Sequence, residues 1–165
     1  PAVRRGFPPS VFAELPRLFE RAGTSDRGAI TGIYTVLMED EEGDPIGEEV
    51  RSLLDGHIHL SRKLGAQGHY PAIDVLNSLS RLFPKLAPSG QAQTATEVRA
   101  MLAKLNDIEL LVQMGEYQPG QDRLADRALE TRDAIMSFLR QSADEPSNGA
   151  TTMALFRSLG SGYGY

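Results

Sequence analysis

In this 165-residue sequence, few side chains are both chemically useful and flanked by residues that indicate a functional site. The main candidates are Tyr70, Asp74 and Arg81. Tyr70 precedes a proline and offers an aromatic face on which a flat ring system can stack. Arg81 carries a permanent planar cation that suits carboxylate or phosphate oxygens. From residue type and spacing alone, the ordinary interpretations are a half-buried tyrosine, a structural carboxylate and a surface arginine paired with an acid.

His57 and His59 alternate in a predicted strand and therefore share one face, an arrangement that can bind zinc. No third ligand stands at a suitable spacing, and the sequence contains no cysteine. We therefore predict no metal site in this chain and interpret both histidines as packed or surface residues. The lack of cysteine also excludes disulfides, thiolate catalysis and iron–sulfur clusters.

The sequence has no phosphate-binding loop. Neither GxxxxGK[ST] nor GxGxxG after a strand occurs, and the GxSxG motif of hydrolases is also missing. Any phosphate chemistry must take its binding loop from chain outside this sequence or from another subunit. The net charge of −5, without a run of Lys and Arg, argues against nucleic acid as a partner. The missing initiator Met predicts a processed or cut chain.

The elements that must position these residues differ between the two halves of the chain. Helices are predicted over 11–22, with a kink or break at Pro16, and over 46–55, and a loop or short helix over 61–68. Strands are predicted over 28–38, 57–60 and around 72–75, the first largely buried because it is rich in β-branched residues. Three strands are few for a parallel sheet, which predicts that further chain completes it.

The second half is predicted to be helical, after a linker of Pro, Ser and Gly at 84–90. Two apolar stripes at helical spacing predict an antiparallel helix pair joined by a turn at 117–122. A flexible spacer at 142–150, a last short helix at 153–159 and a mobile tail at 161–165 complete the prediction. The stripes consist of Val98, Met101, Leu105, Ile108, Leu111 and Met114, then Leu124, Ala128, Ile135, Phe138 and Leu139.

The segment GHYPAIDVLNSLSR, from Gly68 to Arg81, resembles the corresponding stretch of the type III secretion ATPases. It is similar, more distantly, to F-type ATP synthase subunits. Three further segments look like signatures of the same family in the same order: 6–23, 54–64 and 115–122. Together they extend to about Gln141, and the combination is far more specific than any one motif.

The resemblance implies an α/β fold. Residues 1–86 are expected to be the C-terminal part of a RecA-like nucleotide-binding domain, and residues 87–165 a small all-helical domain with a flexible tail. In that family the phosphate-binding loop, the magnesium-binding aspartate and the catalytic glutamate would all precede Pro1. The full-length parent is therefore expected to hydrolyse ATP, whereas this fragment alone is expected to be inactive.

The resemblance also implies roles for three side chains. Arg81 matches the arginine finger, a cation donated in trans to the nucleotide of the neighbouring subunit. Tyr70 matches the tyrosine that stacks on adenine in its own subunit. Tyr117 is a weaker second candidate for the nucleotide pocket, and a turn aromatic packing on the helical pair is nearly as good an interpretation.

The implied function is ATP-driven type III protein secretion by a homohexamer, with effectors unfolded and released from chaperones. ATP and Mg²⁺ would be bound mainly by residues outside this chain. The implied partners are a central stalk, a peripheral regulator of the ATPase and chaperone–effector complexes, at the cytoplasmic face of the inner membrane. We favour the virulence branch over the flagellar one. The alternatives are a non-catalytic fragment or paralogue that docks partners, and a rotary ATP synthase subunit.

Overall fold

In a computed structural model, the chain is described over residues 6–38 and 43–160 and divides into two units between His57 and Ile58. The first unit contains helix α1 (Pro9–Phe19), strands β1 (Gly23–Ser25) and β2 (Gly28–Ile30), and helix α2 (Pro45–Leu53). Strand β3 (Gly56–Leu60) crosses the division. The second unit continues with α3 (Arg62–Ala66), β4 (Ile73–Ser80), α4 (Phe83–Leu86), α5 (Ser89–Gln113), α6 (Arg123–Leu139) and α7 (Gly149–Gly160).

Both helices predicted in the first unit are confirmed. α1 starts at Pro9, where the missing N–H of proline costs nothing, and continues past Pro16 to Phe19. α2 starts after Asp44, whose carboxylate accepts hydrogen bonds from the amides of Ile46 at 2.9 Å and Gly47 at 3.1 Å. Most of the acidic loop that precedes α2 lies outside the described residues.

The predicted buried strand over 28–38 is wrong. Only Gly28–Ile30 forms a strand, in a short antiparallel hairpin with β1, and residues 31–38 have no regular structure. Ile33 and Leu37 are 90% and 93% exposed. A β-branched composition favours a packed, pleated surface, but a strand forms only where a second strand satisfies its backbone groups. The one partner in the described chain, β1, is three residues long.

The strands predicted at 57–60 and 72–75 are confirmed as β3 and β4, which pair in a two-stranded sheet. β4 extends to Ser80, five residues beyond the prediction. The predicted linker at 84–90 is mostly wrong, because α4 and α5 leave only Ala87 and Pro88 between them. Pro84 and Pro88 lie at the starts of α4 and α5, where proline is tolerated. They therefore mark the beginnings of helices and not a linker.

The predicted helical second half is confirmed, and α5, α6 and α7 enclose one apolar core. α5 and α6 run in opposite directions, since Lys104 contacts Asp122 at 3.1 Å and Met101 contacts Thr131 at 3.3 Å. The first stripe ends earlier than predicted, because Met114 is 60% exposed. α7 starts within the predicted spacer. The buried core residues are Val98, Met101, Leu102, Leu105, Ala128, Ile135 and Leu159.

β4 belongs to the same unit as these helices. Val75 and Leu76 of β4 pack against the helical core, which joins the strand to α5 by apolar contact. The domain boundary predicted at residue 86 stays a prediction, and the tail at 161–165 lies outside the described residues. No helix within those described ranges is both long and apolar enough to cross a membrane.

The helical core gives a first testable prediction. Ile135 is fully buried, so Ile135→Ala removes apolar burial and leaves a cavity that we expect to cost about 2–5 kcal/mol. Urea unfolding monitored by circular dichroism measures this cost. Leu110→Ala is the matched control, because Leu110 is 64% exposed. Its cost is expected to stay within about 0.5 kcal/mol, and equal losses in both variants would contradict the core assignment.

Candidate functional site

The backbone around Tyr70 is fixed from two sides. Gly68, at a φ of +71°, turns the chain after α3, and the amide of His69 donates to the carbonyl of Leu64 at 3.0 Å. The Tyr70–Pro71 peptide bond is cis. From the end of α6, the amide of Gln141 donates to the carbonyl of Tyr70 at 2.9 Å. The position of Tyr70 therefore depends on both α3 and α6.

His69 supports this junction and was not singled out in the sequence. Its side chain is only 4% exposed, and Nε of Arg140 donates to His69 Nδ1 at 3.3 Å. Burial, together with the positive charge of Arg140, lowers the pKa of His69, while a hydrogen bond with the Leu139 backbone acts in the opposite direction. The imidazole is therefore a neutral acceptor that holds Arg140 beside Tyr70.

The Tyr70 side chain is 60% exposed and lines an open cleft. Its ring lies over α3, so that a Cβ added at Gly65 would be 3.7 Å from the tyrosine oxygen. Across the cleft, α6 and the chain after it contribute an apolar side chain and charges of both signs. The residues that line this side of the cleft include Asp133, Met136, Ser137, Arg140 and Glu145. This arrangement offers an aromatic face and a thioether to a flat ligand.

Arg81 follows β4 directly and is exposed. Three to seven residues before it, from Asp74 to Ser78, the strand contains a polar bend built on Asp74. One carboxylate oxygen of Asp74 accepts from the amides of Leu76 and Asn77, both at 3.0 Å. The other accepts from the side-chain amide of Asn77 at 2.9 Å, and the Ser78 hydroxyl donates to the Asp74 carbonyl at 2.6 Å. These bonds support the structural role predicted for Asp74.

The charge of Asp74 is stabilised by this bend. Burial alone would raise the pKa of Asp74, but the hydrogen bonds from Asn77 and Leu76, helped by nearby His59, outweigh it and hold the pKa below its usual value. The carboxylate is thus a fixed anion at neutral pH, which does not suit a general base.

Arg99 of α5 contacts the same bend from the opposite direction. Its guanidinium donates to the carbonyls of Val75 and Leu76, the latter at 3.0 Å, and to that of Ser78 at 3.4 Å. Sequence reasoning did not identify Arg99. The bend before Arg81 is therefore held by an acid within β4 and by a base on the helical bundle.

Tyr117 lies apart from the cleft that Tyr70 lines. Its hydroxyl donates to a carboxylate oxygen of Asp126 at 2.7 Å, and the amide of Gly120 donates to the other oxygen at 2.9 Å. Burial and the hydrogen bond to Asp126 raise the pKa of Tyr117 to about 12. This geometry favours the turn-aromatic interpretation, and the nucleotide-binding role of Tyr117 stays a prediction.

Tyr70 and Arg81 lie at opposite ends of β4, one before the strand and one after it. The described part of the chain holds no group of three or more His, Asp or Glu side chains placed to bind a metal. The cleft therefore offers the aromatic face of Tyr70 to a flat ring system, and Arg81 is an exposed cation at the other end of β4. The sequence has no loop to hold the phosphates.

Two family models match the chain in succession. Residues 1–80 match the ATP synthase alpha/beta family, nucleotide-binding domain. Residues 87–158 match the T3SS EscN ATPase C-terminal domain. The two matches therefore cover most of the sequence, and both the bend and Tyr70 lie in the first.

Similar proteins agree with these matches. The type 3 secretion system ATPase of Xanthomonas euvesicatoria is 54% identical over 96% of this chain and 36% of its own. The assembled ATPase EscN from the type III secretion system of enteropathogenic E. coli has a TM-score of 0.92 at 46% identity, over 96% of this chain and 39% of that one. EscN in complex with its central stalk EscO has a TM-score of 0.87 at 45% identity, over 96% and 38%. The chain thus spans about a third of the length of the curated relatives it matches.

The low pKa of Asp74 gives a prediction about acid stability. An acid whose pKa is lower in the folded state stabilises the fold above its unfolded pKa of about 4, and this contribution is lost as the pH falls through the folded value. Asp74→Asn should therefore reduce the free energy of unfolding at pH 7 by about 1 kcal/mol, a charge-assisted hydrogen-bond value reduced for partial exposure.

Urea unfolding at pH 7 and at pH 2.5 measures this effect, and the difference between wild type and Asp74→Asn should shrink at the lower pH. Asp107→Asn, at an exposed position on α5, is the matched control and should unfold like wild type at both pH values. A difference at Asp74 that grows at low pH would contradict the assignment.

Proposed function

This chain belongs to the type 3 secretion ATPase family, and we propose that it is the C-terminal part of a hexameric ATPase that energises type III protein secretion. ATP hydrolysis by the full-length protein would unfold effectors and release them from chaperones. The observation that carries this proposal is the Gly68–Arg81 segment, which places an exposed aromatic ring before β4 and an exposed arginine after it.

Tyr70 would stack on the adenine of the nucleotide bound by its own subunit. Tyr70 is 60% exposed, lines the same open cleft as Met136, and has a backbone held by hydrogen bonding. A flat aromatic face binds a purine through stacking without reading its edge. The phosphates would be bound by residues outside this chain, so the cleft supplies only the base-binding portion of the site.

Arg81 would act on the nucleotide of the neighbouring subunit. Because β4 separates Arg81 from Tyr70, one subunit would present the two side chains to different sites. Negative charge spreads over the phosphoryl oxygens in the transition state, and a planar permanent cation stabilises it. Mg²⁺ bound with ATP would neutralise further charge on the same oxygens. A lone subunit is then incomplete, and hydrolysis requires the ring.

The proposed partners follow the same family. EscN assembles and forms a complex with its central stalk EscO. We propose that the present protein likewise forms a ring around a stalk and meets a peripheral regulator and chaperone–effector complexes. Its proposed location is the cytoplasm, at the inner face of the inner membrane, and its proposed branch is the virulence injectisome.

Arg81→Ala in the full-length protein tests the proposed reaction. We expect kcat for ATP hydrolysis to fall by about 10³-fold or more, because the transition state loses its trans cation, while the isolated subunit still binds nucleotide. Steady-state hydrolysis and equilibrium binding measure the two effects. Arg132→Ala, at an exposed position on α6, serves as the control and should retain activity. Unchanged turnover in Arg81→Ala would contradict the assignment of Arg81 as an arginine finger. A full-length wild-type protein without turnover would favour the alternative of a non-catalytic docking module.

Substitutions of Tyr70 test the stacking role. Tyr70→Ala should weaken nucleotide binding by about 10-fold to 100-fold, as expected for loss of one base–aromatic stack. Tyr70→Phe keeps the ring and should bind within about 3-fold of wild type, since stacking does not need the hydroxyl. Isothermal titration with a non-hydrolysable ATP analogue measures both affinities. Equal losses in the two variants would show that the hydroxyl, not the ring, recognises the nucleotide.

A further inference from the structure

We propose that Arg99 on α5 is a positioning residue for Arg81 and that the helical bundle thereby controls the cation donated to the neighbouring subunit. This inference rests on the proposed function, because it assigns Arg99 to the same trans reaction. Arg99 does not touch the nucleotide. It acts on the backbone bend of β4 that ends three residues before Arg81.

The geometry of the contact is specific to a guanidinium. Nη1 of Arg99 donates to the carbonyls of Val75 and Ser78, and Nη2 donates to the carbonyl of Leu76 at 3.0 Å. A rigid planar fork can hold several acceptors in a fixed relative orientation, whereas a single ammonium group on a flexible stem cannot. Arg99 therefore sets the direction of the backbone as well as its distance from α5.

The bend has partners on three elements, because the amide of His59 on β3 also donates to the Ser78 hydroxyl at 3.0 Å. Its amides at Leu76 and Asn77 are satisfied by the carboxylate of Asp74, which lies within the same strand. Its carbonyls are satisfied by Arg99, which lies on the bundle. Removing Arg99 takes its donors away from the carbonyls of Val75, Leu76 and Ser78, while Asp74 still holds the amide side of the bend.

The bend determines the position of the Arg81 Cα atom, from which the side chain extends. Only Leu79 and Ser80 separate Ser78 from Arg81, so a small rotation at Ser78 displaces the arginine Cα directly. A catalytic group misplaced by about 1 Å can cost about 10²-fold in rate. The apolar contacts of Val75 and Leu76 with the bundle core keep β4 attached even without Arg99, so the fold stays intact while the bend loses one of its restraints.

The first experiment measures steady-state ATP hydrolysis by the full-length protein carrying Arg99→Gln. We expect kcat to fall by about 10-fold or more with KM within about 3-fold, because the subunit's own nucleotide cleft is untouched and only the neighbour's transition state loses support. Arg99→Lys keeps the charge without the fork and should restore less than half of the activity. Arg132→Gln is the control, and gel filtration shows whether rings form.

Full activity in Arg99→Lys would overturn the role of the fork. A raised KM with unchanged kcat in Arg99→Gln would overturn the inference as a whole, because it would place Arg99 in ground-state nucleotide binding.

The second experiment uses mixed rings, because a positioning residue must act in the subunit that donates the finger. Arg81→Ala subunits keep a nucleotide cleft and lack the finger, whereas Tyr70→Ala subunits keep the finger and have a damaged cleft. At an ATP concentration that nearly saturates the wild-type cleft but not the Tyr70→Ala cleft, mixing the two variants should give more activity than either variant has alone. No recovery would contradict the proposed trans reaction itself, separately from the role of Arg99.

Arg99→Gln is then added to one partner at a time. In the Tyr70→Ala subunit, which donates the finger, it should reduce the recovered activity by about 5-fold or more. In the Arg81→Ala subunit, whose finger is already absent, it should leave recovery within about 2-fold. Equal losses in both placements would show a general structural defect and would overturn the inference.

Discussion

The bend in β4 is the constraint on which the proposed site depends. Here backbone amides and carbonyls bond to side chains, and half-buried backbone groups are costly unless they are paired. Asp74 supplies an acceptor to the amides, and Arg99 supplies donors to the carbonyls. The two opposite charges therefore fix one short stretch of backbone from both sides, immediately before Arg81.

These charges bind different partners from the ion pair on α1, although Arg99 is itself exposed. Arg17 and Glu14 meet at 3.5 Å on α1, but their side chains are 77% and 70% exposed, and such pairs contribute little to stability. Asp74 and Arg99 instead bind neutral backbone groups through charge-assisted hydrogen bonds, which are stronger and more directional. Their effect is to restrain the backbone conformation of the bend that precedes Arg81.

Sequence reasoning succeeded where the signal is local or continuous. The stripes from Val98 to Ile108 and from Leu124 to Leu139 predict their helices because packing of one helical face recurs every three or four residues. The strand predicted over 28–38 failed because strand formation depends on a partner elsewhere in the chain. Tyr70 and Arg81 are site predictions that rest on the family segment, since neither residue has a distinctive spacing.

Arg99 was missed for a related reason. It donates to a carbonyl 24 residues away in sequence, and the pattern of residues around Arg99 does not indicate such a contact. His69 is similar, since its partner Arg140 is 71 residues distant. Both interactions join β4 or its approach to the helical bundle, and neither can be predicted until the bundle is packed.

The bundle therefore contacts both ends of the segment that carries the proposed chemistry. The amide of Gln141, after α6, holds the backbone at Tyr70, while Arg99 on α5 holds the bend before Arg81. Under the proposed function, these ends serve two different nucleotides in the ring. A movement of α5 relative to β4 would change the cation offered to the neighbour, whereas a movement of α6 would change the subunit's own cleft. Because α5 and α6 share one core, a partner that shifts the bundle would alter both sites together.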